Sequence, residues 1–202
     1  MAATWMSRWW KRILLAVAVL LLGGVAIVTV GVEREAEYTL QSLGGQGERR
    51  ALILYHPSRD AQFTDELSLA IAEGLKAAGY AVDRATLTGD TPAQPTQYQL
   101  LVVVSNTFFW TPDLPTLRYL KRAKLDRIPT VGVIAGAGST TRAEKMLELA
   151  LSGSGAAVVA MRAFWVSRPN DELRSAEPNR AVALQLAQQL GSAAGKGELA
   201  AR

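Results

Sequence analysis

The 202-residue chain contains no cysteine and a single histidine, His56. The first absence excludes disulfides, iron–sulfur clusters and thiol nucleophiles, and it is compatible with either redox compartment. The second excludes a multi-histidine metal site, and no metal is expected. The chain has no G-x-S-x-G nucleophile elbow. With one histidine and no carboxylate partner evident beside it, a hydrolase triad is disfavoured. The full G-x-G-x-x-G dinucleotide fingerprint is missing as well, and there is no internal repeat. Aromatics are sparse, at 7%, so their bunching at Trp5, Trp9 and Trp10 and again at Phe108, Phe109 and Trp110 is informative.

Charge is absent from one long stretch. Residues 13–32 read ILLAVAVLLLGGVAIVTVGV, with Thr29 as their only hydroxyl. As a helix this run crosses a bilayer core of roughly 30 Å. It exceeds a signal-peptide h-region, and Gly31-Val32-Glu33-Arg34-Glu35 offers no convincing cleavage site, so an uncleaved signal anchor is expected. Arg8, Lys11 and Arg12 precede the run, while Glu33, Glu35 and Glu37 follow it with Arg34. That asymmetry predicts a single-pass protein of the inner (cell) membrane with a cytoplasmic amino terminus and the soluble domain on the outer side. The net charge of +4 comes from dispersed basic residues. The group between Arg118 and Arg127 reads as a solvated face, or as a contact for an acidic partner or anionic headgroups. Nucleic acid is not an expected partner.

The chain divides into a basic, Trp-rich tail at 1–12, the transmembrane helix at 13–32, a flexible polar linker at 33–50, one domain at 51–191 and a fraying tail at 192–202. Within the domain, short apolar runs alternate with helical periodicity. Ala51-Leu52-Ile53-Leu54-Tyr55 suits a buried strand. Residues 64–78 place Leu67, Ile71 and Leu75 on one helix face, with Thr64 as a plausible N-cap and Gly79 as the stop. Residues 80–87 alternate as an edge strand does. Residues 98–105 carry LLVVV, the pattern of a central parallel strand. A helix is expected at 114–124, a strand at 129–135, a helix at 141–151, a strand at 156–165 and a closing helix at 179–190. This alternation predicts an α/β three-layer fold with a five-stranded parallel sheet. Ligands of such sheets lie beyond the carboxyl ends of the strands, so three loops matter.

The first loop, from His56 to Thr64, leads to a helix N-terminus, where backbone N–H groups favour an anion. Ser58, Arg59 and Thr64 are candidate phosphate donors; the alternative is a plain strand-to-helix turn. His56 has three readings: a satisfied loop histidine, a phosphate contact or a proton relay. The second loop runs through Asn106, Thr107, Phe108, Phe109, Trp110, Thr111 and Pro112. Its three adjacent rings cannot all pack on one strand face, so they wedge under a neighbouring loop or flank a planar ligand. The third loop, Gly136-Ala137-Gly138-Ser139-Thr140-Thr141, allows close backbone approach and a helix cap.

In order and context the three loops resemble the flavodoxin-like family of FMN proteins. Asn106 to Pro112 is similar to that family's second flavin loop, Gly136 to Thr141 to its third, and residues 70–80 to its first helix and exit. The resemblance spans about residues 50–190. It implies strand order 2-1-3-4-5 and FMN held by Ser58, Arg59, Thr64, Thr107, Phe108, Phe109, Trp110, Gly136, Gly138, Ser139 and Thr140. The first loop departs from the family's T/S-x-T-G-x-T cradle, because Arg59, Ala61 and Gln62 stand where hydroxyls and glycine belong. Arg59 replaces the lost hydroxyls with a charge-assisted bond, or the pocket holds another ligand, or none. The function implied is membrane-anchored electron transfer or NAD(P)H/quinone-type oxidoreduction, with membrane lipid and a membrane-bound redox partner or quinone as partners. The alternative is a cofactor-free scaffold for a membrane partner.

Overall fold

The computed structural model describes residues 2–32, 36–57 and 61–199, the side chains of 2–8, 27–32 and 61 excepted. The chain forms two compact units, Met1–Arg34 and Glu35–Arg202.

The first unit is one helix, α1 (Ala2–Val32). It begins well before the apolar run, so the basic tail is helical too, and Trp9 and Trp10 pack edge to face, 5.6 Å between centroids. Over Trp9–Ala26 the mean hydropathy is 1.7, which makes α1 long and apolar enough to cross a membrane.

The second unit is built on a sheet of β1 (Leu40–Gly44), β2 (Arg49–Tyr55), β3 (Tyr80–Thr86), β4 (Leu100–Phe108), β5 (Thr111–Pro112), β6 (Pro129–Gly136) and β7 (Ala157–Trp165). The order is β1-β3-β2-β4-β6-β7, with the short β5 paired to β4. The five strands β3-β2-β4-β6-β7 are parallel. Counted alone they stand in the order 2-1-3-4-5, as the resemblance implied.

Strand period sets the layers. In β2, Ala51, Ile53 and Tyr55 point to one face, while Leu52 and Leu54 point to the other. Both faces are buried, so the run is apolar throughout. The first face is covered by α2 (Ala61–Ala77) through Leu67, Ile71 and Leu75 and by α5 (Asn179–Lys196) through Ala183, Ala187 and Leu190. The second is covered by α3 (Leu114–Arg122) and α4 (Thr141–Gly153) through Tyr119, Leu120, Leu147 and Leu151. Helices α2 and α5 cross closely because Gly74 faces the Gln188 carbonyl and Gly191 faces the Ile71 carbonyl, each too near to admit a Cβ.

Three expectations are corrected. The supposed linker contains β1, which pairs antiparallel with β3, so residues 80–86 are not the sheet edge. Tyr38 and Leu43, lone apolar residues in polar surroundings, pack against the two cores and hold β1 in place. The closing helix continues through the predicted tail to Lys196, with Ala194 buried and Gly197 in the left-handed conformation (φ 72°) ending it. Finally, α2 starts at Ala61, so Thr64 lies inside it rather than at its cap.

Candidate functional site

The sheet reverses its winding between β2 and β4, and the loops beyond those strands and β6 gather at one end. Ser58 and Arg59 lie outside the described residues. The remaining predicted residues form three substructures.

The first joins loop one to loop two. Fully buried Thr64 donates its hydroxyl to Asn106 Oδ1 (2.7 Å), and Asn106 Nδ2 donates to the His56 carbonyl (2.8 Å). Asp113, also fully buried, accepts from Ser105 Oγ (2.8 Å) and the Asn106 amide (2.7 Å) through Oδ2, and from the Thr116 amide (2.9 Å) through Oδ1. The last of these caps α3, with Pro115 in its first turn. His56 Nδ1 lies 3.6 Å from Asp113 Oδ1. The histidine therefore has a carboxylate neighbour, contrary to the sequence reading. Asp113 is 57 residues away in the chain, and Asp-Leu-Pro, an N-cap signature, was the signal that marked it.

The second is a hairpin. Strands β4 and β5 pair Phe108 with Thr111 and Thr107 with Pro112, leaving Phe109 and Trp110 as a two-residue turn. Both have positive φ, 45° and 60°, the geometry of a type I′ turn, which favours Asn-Gly. Two bulky residues there are strained. Phe109 packs on Phe108 at 4.6 Å, yet Phe109 and Trp110 are 57% and 56% exposed. The three rings thus divide: Phe108 half-buried, the next two at the tip.

The third is the end of β6. Buried Thr140 donates to Glu144 Oε1 (2.8 Å) and accepts the Trp165 indole N–H (2.9 Å), which fastens loop three to β7. Gly136 is pressed between Thr140 and Thr107, and a Cβ there would come within 2.7 Å of Thr140 Cγ2 and 3.0 Å of Thr107 Oγ1. Gly138 and Ser139 complete the loop, with Ser139 exposed. The Thr107 hydroxyl is buried between loops two and three and has no hydrogen-bond partner among the described residues, an arrangement that ordinarily costs about 1–3 kcal/mol. Nearby, burial pushes the Tyr55 phenol up, with Arg84 4.6 Å from its ring.

Two clefts lie elsewhere. One of about 340 Å³ runs between β7 and α5 past Arg162, Phe164 and Leu190, and one of about 300 Å³ opens at the amino ends of the strands near Arg49, Tyr80 and Pro129. The site is assigned by the strand ends and their polar groups, since neither cleft touches the three loops. No group of His, Asp or Glu among the described residues is arranged to hold a metal.

No protein-family model and no curated protein matches the sequence. Solved structures do match. The chain superposes over 73% of its length on 97% of a flavodoxin from the domain Archaea, with TM-score 0.55 and 15% identity. It matches an NAD(P)H:quinone oxidoreductase from Methanothermobacter marburgensis over 71% of this chain and 98% of that one, with TM-score 0.52 and 18% identity. The flavodiiron protein from Giardia intestinalis matches over 75% of this chain but 36% of its own length, with TM-score 0.56 and 15% identity. The order of the five parallel strands, the helices on both faces and these superpositions agree: beyond its amino-terminal helix, this chain has the flavodoxin-like fold.

Proposed function

We propose that the protein is a membrane-anchored flavodoxin-like protein that binds FMN beyond β2, β4 and β6 and serves electron transfer or NAD(P)H/quinone-type oxidoreduction. The observation that carries this reading is the buried Thr107 hydroxyl, without a partner among the described residues, where loops two and three meet beyond β4 and β6. A polar ligand atom there would relieve an otherwise costly donor. Gly136 and Gly138 let backbone approach the same place; Thr107 and Thr140 flank Gly136, and Phe108, Phe109, Trp110 and Ser139 stand on the same two loops. Ser58 and Arg59, ahead of α2, are the residues to meet a phosphate at that helix N-terminus.

Bound FMN would supply the one-electron and hydride chemistry, while the chain supplies position and electrostatics. The Thr64 hydroxyl is already committed to Asn106, which leaves phosphate binding to the loop itself. The helix α1 and its preceding cations support an inner-membrane anchor with a cytoplasmic amino terminus, and hence a membrane-bound or quinone redox partner. A periplasmic-active or cytoplasm-active reporter fused to the carboxyl end tests the side.

A second reading has its own support. The Thr64–Asn106–His56 bonds close loop one onto loop two from within, as a fold that has given up a phosphate cradle would. On that reading the domain is a cofactor-free scaffold for a membrane partner. Titration of the purified full-length chain with FMN separates the two: quenching of flavin fluorescence with a saturable, stoichiometric endpoint supports the first, and unchanged emission supports the second.

A further inference from the structure

We propose that the carboxyl end of the sheet faces the bilayer and that the Phe109–Trp110 turn beds in its headgroup region. The proposal rests on the anchored reading and goes beyond it, because it assigns which end of the domain meets the lipid.

The first argument is the path of the chain. Because β1 is antiparallel to β3, Leu40 pairs with Ala85, near the carboxyl end of the parallel strands. Thr86 then fixes the preceding residues: its hydroxyl donates to the Glu37 carbonyl (2.8 Å) and accepts from the Thr39 amide (2.8 Å). The chain is thus tied to the domain from Glu37 onward, at the end that carries the three loops. Helix α1 ends at Val32. Five peptide steps connect the two points, a reach of at most about 18 Å whatever their conformation.

The second argument is the length of the hairpin. Thr86, Tyr55 and Val104 stand level in the sheet. Phe109 lies five residues beyond Val104, a rise of about 16 Å along the strand. The hairpin tip therefore projects about as far as the tether extends, two strands away from the point of attachment.

The third argument is the distribution of apolar surface. Among the described residues of the second unit, eight large hydrophobic side chains are exposed. Five of them, Leu40, Phe109, Trp110, Leu114 and Val166, lie at or beyond the carboxyl ends of the strands; Leu173 lies where the chain turns back beside α5, next to the Arg174 that reaches Gln185, and Leu69 and Leu149 sit within helices. Leu149, near the end of α4, is the one that lies toward the amino ends. Phe109 is 57% exposed and Trp110 56%. Aromatic and aliphatic side chains on one tethered rim suit the interface between headgroups and acyl chains. A redox site at this end would exchange electrons with a molecule dissolved in the membrane more readily than with a soluble one.

The absence of cysteine makes the test clean. Single-cysteine variants Trp110→Cys, Val166→Cys, Glu48→Cys and Leu20→Cys of the full chain carry a fluorophore in nanodiscs of phosphatidylcholine and phosphatidylglycerol. Nitroxides are placed on the headgroup or at mid-acyl chain. The expected result is headgroup quenching at positions 110 and 166 at least about twofold above that at position 48, with mid-chain quenching at position 20. Quenching at 20 alone, or equal quenching at 48 and 110, overturns the docking while sparing the anchor, and assigns the apolar rim to a protein partner. No quenching at 20 overturns both. Because Val166 is an exposed side chain just beyond β7, its variant keeps the test valid if Trp110→Cys fails to fold.

Discussion

The Asp113 carboxylate lies 3.6 Å from the His56 imidazole and joins the first loop to the second. The same carboxylate caps α3 and accepts from Ser105 and the Asn106 amide. Replacing it with alanine strands three donors in a site with no solvent access. Asp113→Ala is therefore expected to cost about 3 kcal/mol, read as a lower denaturant midpoint at unchanged slope. Asp113→Asn preserves shape but places an NH₂ or a weaker carbonyl against those donors, so about 2 kcal/mol is expected.

Thr64 reaches the same network from α2. Thr64→Val keeps the volume and leaves Asn106 Oδ1 without the donor it has now. The expected loss is about 1–2 kcal/mol. If flavin still binds with equal affinity in this variant, the Thr64 hydroxyl is a structural brace and takes no part in phosphate contact.

The hairpin tip predicts a gain. Phe109 and Trp110 hold left-handed conformations that Asn-Gly adopts without strain. The double substitution Phe109→Asn with Trp110→Gly should stabilise the protein by about 1 kcal/mol, or about 3 °C in Tm. The same variant should loosen the docking of the rim, measured as weaker headgroup quenching of a label on position 166. Bulky rings retained at a strained turn are the pattern of a residue kept for what it touches.

Tyr119 predicts the alkaline behaviour. Its ring is 1% exposed, its hydroxyl donates to the Pro92 carbonyl (3.3 Å), and burial pushes the phenol up to about 12. In the unfolded chain a tyrosine ionises near 10. Between those values the folded protein holds a proton that the unfolded chain has released. Its contribution is thus fully present below about pH 10 and is lost as pH rises through about 12, by roughly 2–3 kcal/mol. Tyr119→Phe should flatten that limb in urea titrations between pH 9 and 12, at a neutral-pH cost of about 1 kcal/mol for the lost hydrogen bond.

The parallel sheet was legible because β2, β4, β6 and β7 are largely apolar runs, β3 alternates, and the helices between keep 3.6-residue spacing. Strand β1 was not, since an edge strand with one face exposed reads as polar chain, and only Tyr38 and Leu43 betray it. The end of α5 was misread for a related reason: Ala193, Ala194 and Gly195 are small enough to pass for a tail, although Gly195 meets Ala78 and Tyr80 at close range. The three loops were found, but their internal logic was not. Phe108, Phe109 and Trp110 form a hairpin rather than a run along one strand, and His56, Asn106 and Asp113 meet only once β2 and β4 are paired. Contacts between distant residues leave no period in the sequence.

The central claim is that the end of the sheet bearing Thr107 and Gly136 holds FMN. The most direct measurement is a fluorescence titration of FMN with the full-length protein, wild type beside Thr107→Val and Gly136→Val. The account predicts saturable quenching by the wild type, affinity about tenfold weaker in Thr107→Val, for one lost hydrogen bond, and no binding in Gly136→Val, whose side chain would press Thr140 and Thr107 out of place. Wild-type protein that leaves flavin emission unchanged, or three proteins that bind equally, would contradict it.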